Sequence, residues 1–269
     1  AAGARAEVEI WEVASARRIL LLRDVPYGMV SFHPHVSQLI ATSRDGSAGV
    51  WNLADGTRSI RFALPAELAD VNSLADLKYS PDGERFALRY HSNYLGAVSV
   101  HNAADGALLA FQTVARGLHA LDWHPTGRWI AAGGDDGSVN LIDSQTGESH
   151  TLGRHMAAAA TMAFSPDGRY LITGGWEKEL ICWDLQAMQR AFTMPLGSYR
   201  LQFDADGRQC AVGIVGKSVQ LHAFERPTTH REFAEDLGAP IHRAAFSPDG
   251  RWLAASGDKQ AGVWDLAGG

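Results

Sequence analysis

Cysteine is scarce in this sequence. Cys182 and Cys210 are the only two in 269 residues, both lie in apolar segments, and they do not form a CxxC pair. A disulfide framework and a zinc knuckle are thereby excluded, and buried reduced thiols are expected. No apolar run approaches the ~18 residues of a membrane helix. Basic blocks are missing too: none is longer than Arg17-Arg18, and 30 acidic against 24 basic residues give a formal charge of -6. Neither a nucleic-acid nor a membrane partner is indicated. There is no Asn-x-Ser/Thr acceptor, Gly-x-Ser-x-Gly elbow, HExxH or glycine-rich dinucleotide motif. The first residue is alanine, so an upstream signal peptide would not be visible.

Glycine (28) and proline (10) are plentiful and spread evenly through a chain that is 46% hydrophobic. That pattern suits short strands and frequent turns, with little helix. One stretch, FSPDGRYLITGGWEKELICWDL from Phe164 to Leu185, sets the pattern. In its Ser165-Pro166-Asp167-Gly168 turn, proline pre-sets φ, aspartate can accept from the following backbone, and glycine supplies φ > 0. Tyr170 to Thr173 and Leu180 to Leu185 read as strands. The last strand recurs at Trp11, Trp51, His101, Ile142, Trp183, His222 and Trp264, about 40 residues apart with one interval of 50. The turn recurs in phase at Pro34, Pro81, Pro125, Pro166, Ala205 and Pro248. Alternating pairs such as Leu121/Trp123 and Met162/Phe164 precede it, and further turns such as Ala54-Asp55-Gly56 lead to a fourth strand. Arg128, Arg169, Arg208 and Arg251 each follow a turn glycine and read as a solvated rim.

Four-stranded antiparallel units at this period predict an all-β β-propeller. The segments Val50-Trp51-Asn52-Leu53, Cys182-Trp183-Asp184-Leu185 and Val263-Trp264-Asp265-Leu266, each after such a turn, resemble the WD-repeat β-propeller family. The resemblance spans essentially the whole chain. It implies one domain over 1–269 with seven angular positions: a partial blade over 1–23, complete blades over about 28–63, 74–113, 118–152, 157–193 and 199–234, and a partial blade over 241–266. Five complete blades between two partial ones predict a fragment of a longer chain with exposed edges at the seam.

The resemblance also implies a buried structural tetrad, for which His155, Thr173, Glu177 and Trp183 are the candidates. Glutamate in place of the family's aspartate is one methylene longer and predicts a looser network. The set imitates a Ser/His/acid relay, but Thr173 would not face a cleft. Gly216-Lys217-Ser218 lacks the first glycine and the helix of a phosphate loop, and reads as a hairpin turn. His33-Pro34-His35 and Asp135-Asp136-Gly137 read as turns, not metal or calcium sites. His101 and His222 replace the repeat tryptophan and read as hydrogen-bonded residues within a blade. No cofactor, metal or catalytic set is implied.

Function is therefore sought on the surface. The family's loops between second and third strands, with those leading into each first strand, gather on one face, and by resemblance this face binds partners. Trp176 lies in such a loop, where tryptophan contributes more to an interface than to a core. Its equivalents include Arg44, Asp135 and Val215, and Tyr27, Tyr199 and Tyr94 are placed in nearby loops. The long interval holds residues 64–70, which read as a short helix. The expected function is a non-enzymatic protein-protein interaction scaffold for a peptide or protein, in the cytoplasm. The alternative is a regulatory or substrate-gating propeller covalently linked to a kinase-like or peptidase-like domain.

Overall fold

The structure is a computed structural model that describes residues 7–12, 15–23, 30–42, 48–62, 74–91, 96–114, 117–214, 218–223, 230–233, 243–256 and 260–267. Every regular element among them is a strand. No helix of the described residues is long and apolar enough to cross a membrane. Residues 64–70, Tyr27, Arg44, Tyr94, Val215 and Gly216-Lys217 lie outside the described residues.

The chain divides into two compact units. Unit 1 comprises Ala1–Leu118 with Asp143–Glu148. It opens with a two-stranded sheet, β1 (Glu7–Glu12) and β2 (Arg17–Arg23). Two four-stranded antiparallel sheets follow. The first is β3 (Val30–Phe32), β4 (Gln38–Thr42), β5 (Ala48–Asn52) and β6 (Arg58–Phe62). The second is β7 (Leu74–Tyr79), β8 (Arg85–His91), β9 (Gly96–Asn102) and β10 (Leu108–Thr113). Ile40 and Val50 of the first sheet meet Leu77, Phe86, Leu88 and Tyr90 of the second in one buried cluster.

Unit 2 comprises His119–Ile142 and Ser149–Gly269. Its sheets are β11 (Leu118–Trp123), β12 (Trp129–Gly134), β13 (Ser138–Asp143) and β14 (Ser149–Arg154); then β15 (Ala159–Phe164), β16 (Tyr170–Gly175), β17 (Leu180–Asp184) and β18 (Gln189–Met194). After these come β19 (Ser198–Phe203), β20 (Gln209–Ile214), β21 (Val219–Ala223) and β22 (His230–Phe233), and a three-stranded sheet of β23 (Arg243–Phe246), β24 (Trp252–Ser256) and β25 (Ala261–Asp265). The described strands thus form five four-stranded sheets, one three-stranded and one two-stranded. Leu141, Met162, Phe164, Leu171 and Trp183 fill the space between the first two sheets of unit 2. Burial of each such side chain is worth about 1.5–3 kcal/mol.

The turn chemistry explains why the motif varies while the loop does not. Between first and second strands, one backbone N–H donates five residues on in each blade: His33 to Gln38, Ser80 to Arg85, His124 to Trp129, Ser165 to Tyr170, Asp204 to Gln209 and Ser247 to Trp252. Where that residue is serine its hydroxyl also accepts the returning N–H, at 3.0 Å from Arg85 and 2.9 Å from Tyr170 and from Trp252. In the DADG version a carboxylate oxygen of Asp204 accepts from Gln209 at 3.1 Å. At the ends of five strands, β5, β9, β13, β17 and β25, the side-chain oxygen of Asn52, Asn102, Asp143, Asp184 or Asp265 accepts the N–H two residues on, at 2.8–3.0 Å. These are Asx turns, which is what the acid or amide after the tryptophan position contributes.

At two of the four repeat tryptophans, that position is crowded against a glycine two residues before it on the same strand, whereas Trp11 and Trp183 have Glu9 and Ile181 there. A Cβ on Gly49 would come within 3.0 Å of the Trp51 ring, and one on Gly262 within 2.6 Å of the Trp264 ring. His101 takes the place of tryptophan beside Ser99, whose hydroxyl lies 2.9 Å from Nε2, and His222 beside Gln220 at 3.0 Å. His101 is buried, and its Nδ1 meets the Gly106 carbonyl while its ring stacks on Phe86.

Candidate functional site

At the end of unit 2 opposite the SPDG-type turns, the β12–β13, β14–β15 and β16–β17 loops assemble around the candidate tetrad. Trp183 on β17 donates its indole N–H to Thr173 Oγ1 at 2.8 Å. Thr173 on β16 lies 2.7 Å from His155 Nε2, and His155 Nδ1 lies 2.5 Å from Glu177 Oε1. The network is satisfied in one direction: indole N–H to hydroxyl, hydroxyl O–H to Nε2, and Nδ1–H to carboxylate. Thr173 and the His155 side chain are fully buried and Trp183 is 3% exposed, so the hydroxyl faces no cleft. The looser network expected from glutamate is not what forms. Its carboxylate folds back over Gly175, where a Cβ would lie 2.0 Å from Oε2, and this glycine makes room for the extra methylene.

Ligand atoms of His155, Glu177 and Glu179 lie within 4.8 Å of one another. Both ring nitrogens of His155 are already engaged by Thr173 and Glu177, so the ring has no lone pair to offer a metal.

Trp176 begins the loop beside this network and is 59% exposed. Its backbone N–H donates to the Ala158 carbonyl at 3.1 Å, and its ring tilts against His119, with centroids 4.8 Å apart. His119 Nε2 in turn contacts the Asp135 carboxylate, so Trp176 and its equivalent Asp135 are joined through a histidine. Asp136 accepts from Ser138 at 3.0 Å (N–H) and 2.6 Å (hydroxyl), and from Arg154 at 2.6 Å. Burial opposes its ionisation, but these donors hold its carboxyl below the usual carboxylate range. They also occupy the oxygens a calcium ion would need. Met156 stands beside this cluster, 94% exposed.

His119, Arg154 and Met156 were not among the sequence candidates; the only sequence signal for them is their position at the ends of strands that reach this face. Tyr199, expected in a loop, falls within β19 instead. The register shifts between Ser198, opposite Ile214, and Arg200, opposite Gly213, which makes Tyr199 the extra residue of a bulge. In the His33-Pro34-His35 turn, His33 Nδ1 accepts N–H groups from His35 and Val36, and His35 Nε2 meets the Pro81 carbonyl.

The arginines after the turn glycines also differ from a merely solvated rim. Arg128 lies over Trp129, Arg169 over Tyr170 and Arg251 over Trp252, each about 5 Å from the ring centroid. Arg169 and Arg251 additionally reach Asp184 and Asp265 at 3.5 and 2.7 Å.

The family model for the WD domain, G-beta repeat, matches residues 112–143, 147–184 and 231–265. A computed fit to a solved structure, described as the crystal structure of the mitotic checkpoint complex, covers 97% of this chain and 82% of that one, with a TM-score of 0.79 and 18% identity. Three stretches of the chain are WD repeats, in a β-propeller fold. Among curated relatives, WD repeat-containing protein SL1-17 of Schistosoma mansoni is 32% identical over 173 residues, 62% of this chain and 57% of that protein. The chain thus spans little more than half of that relative's length. Eukaryotic translation initiation factor 3 subunit I of Aspergillus terreus is 25% identical over 261 residues, covering 85% of this chain and 75% of that one. The matched repeat 147–184 runs from the start of the β14 strand region to the end of β17. One WD repeat therefore supplies the outer strand of one blade and three strands of the next.

Proposed function

We propose that this propeller is a non-catalytic protein-interaction scaffold, and that the loop end of unit 2 centred on Trp176 receives a peptide or protein partner. The observation that carries the reading is a large exposed indole on a fixed base: Trp176 is braced by His119, which is itself held by Asp135, with exposed Met156 nearby. Rigid aromatic anchors cost little conformational entropy on binding. The likeness to a subunit of a translation initiation factor supports a role within a protein assembly in the cytoplasm. Tyr27, Tyr94, Arg44 and Tyr199 are proposed as additional contacts, and the buried tetrad as the support of this loop end.

The test uses the chain beside Trp176→Ala and Met156→Ser variants as baits, followed by titration of each captured protein in purified form. A partner whose affinity falls at least tenfold, or by about 1.4 kcal/mol, with the melting temperature unchanged supports the reading. Equal affinity for all three proteins overturns it.

A further inference from the structure

A second feature lies at the other end of unit 2, where the first two blades of that unit part. A cleft of about 680 Å³ opens there between the 124–129 turn region and the 167–169 and 185–188 turns. Trp129, Leu141, Phe164, Leu185 and Met188 form its apolar floor and walls. Arg128 and Arg169 stand at its lining with His124, His150 and the carboxylate of Asp167, and Arg169 also reaches Asp184 just outside it at 3.5 Å. The Asp167 carboxylate is directed at its own turn, accepting from the Ser165 hydroxyl at 2.5 Å and the Arg169 N–H at 3.0 Å.

Unit 1 contains an internal control. A cleft of the same size, about 680 Å³, lies at the equivalent place between its two four-stranded blades. Its residues at matching turn positions are Gln38 for Trp129, Glu84 for Arg169, Ala103 for Leu185 and Ser59 for His150. The fold alone makes a cleft here, and the next one in unit 2 is lined by Asp167, Asp184 and Asp206 beside Arg169 and Arg208; the apolar walls with two arginines belong to the cleft at Trp129.

Met188 supplies part of the apolar lip. The turns between third and fourth strands place glycine at this point at Gly56, Gly106 and Gly147, with φ of 70°, 75° and 76°, and the equivalent β1–β2 turn places alanine there, with φ 50° at Ala16. Met188 holds φ 51° there with its side chain half exposed. A left-handed conformation disfavours a residue with a Cβ. Here it delivers a flexible thioether to the lip of an apolar cleft, where methionine adapts to varied partners.

We propose that this cleft docks an extended acidic peptide segment, an apolar residue entering between Trp129, Phe164 and Met188 while flanking carboxylates meet Arg128 and Arg169. It is a site distinct from the Trp176 end.

The probes are two fluorescein-labelled heptapeptide pools, each with three central positions randomised among Leu, Ile, Phe and Trp and with flanks of glutamate in one pool and lysine in the other. Binding is followed by anisotropy. The glutamate pool should bind saturably, more weakly as salt rises, and the lysine pool should not. The Arg128→Glu, Arg169→Glu double variant should lose at least tenfold in affinity. Met188→Gly should weaken binding about fivefold while raising the melting temperature by about 2 °C as backbone strain is relieved. Trp176→Ala should leave pool binding intact, which separates this site from the first. No saturable binding by the glutamate pool, equal binding by both pools, or unchanged affinity in the arginine double variant overturns the proposal.

Discussion

Thr173→Val removes one hydroxyl and keeps the side chain's shape, so its effect isolates the hydrogen bonds. In the native protein Thr173 Oγ1 serves Trp183 Nε1–H at 2.8 Å and His155 Nε2 at 2.7 Å, all three side chains being buried. Valine leaves a donor and an acceptor in the interior without partners. Each buried unsatisfied group costs about 1–3 kcal/mol, so the pair should cost about 3–4 kcal/mol. For a protein of this size that lowers the melting temperature by about 8–12 °C. Thr173→Ser keeps the hydroxyl and loses only a methyl group, at about 1 kcal/mol. Urea titrations and thermal melts of both variants should therefore place serine well above valine. Adding Trp183→Phe removes the donor as well, and the double variant should be less damaged than the two single losses together by at least about 1 kcal/mol. A valine variant as stable as the serine variant would refute the reasoning.

Gly153 lies against Trp183, and a Cβ there would come within 2.4 Å of the ring. Gly153→Ala should cost about 1–3 kcal/mol through overpacking, and a loss below 0.5 kcal/mol in a urea titration, roughly the level of a surface change, would show that the ring yields. The Cys182 and Cys210 thiols are both pushed up to about 12, chiefly by burial; they should resist a disulfide reagent at pH 8 in the native protein and react fully in denaturant. Burial pulls His101 below its ordinary value of 6.5 against the opposing hydrogen bond to Gly106. The unfolded chain then takes up the proton first, so the stabilising contribution is whole above pH 6.5 and is lost as pH falls below it. Measured between pH 7 and 5, stability should decline with acid, and the slope should be shallower in His101→Gln.

Strand order and phase were legible in the sequence because two markers, the turn before the second strand and the tryptophan at the end of the third, keep one spacing. Both are dictated by local chemistry that survives substitution: Asp204 can take the place of Ser165 because either side chain accepts the same returning N–H. His155, Thr173, Glu177 and Trp183 were legible only through family resemblance, since their partnership spans β16, β17 and two loops. The close fit of Glu177 was not, because it depends on the missing Cβ of Gly175. Nor was His119, which becomes a brace for Trp176 only when β11 is laid beside the β16–β17 loop. Arg128 and Arg169 looked like ordinary surface charge until folding placed them over neighbouring rings at a cleft. Tyr199 was misplaced because a bulge adds one residue to a strand without any mark in composition.

In the blades where the tryptophan position is crowded against or bonded to the residue two before it, the two sites form a single exchangeable cassette. Gly49 with Trp51 and Gly262 with Trp264 solve the position by volume, whereas Ser99 with His101 and Gln220 with His222 solve it by hydrogen bonding. Histidine introduced at Trp51 alone would face a glycine that offers no side-chain acceptor, whereas Trp11 after Glu9 and Trp183 after Ile181 show that tryptophan also stands beside a larger residue. A single-site scan would therefore understate the exchange to histidine, which the paired exchange restores. Repeats of this chain can be recombined or regularised by design if both residues travel together.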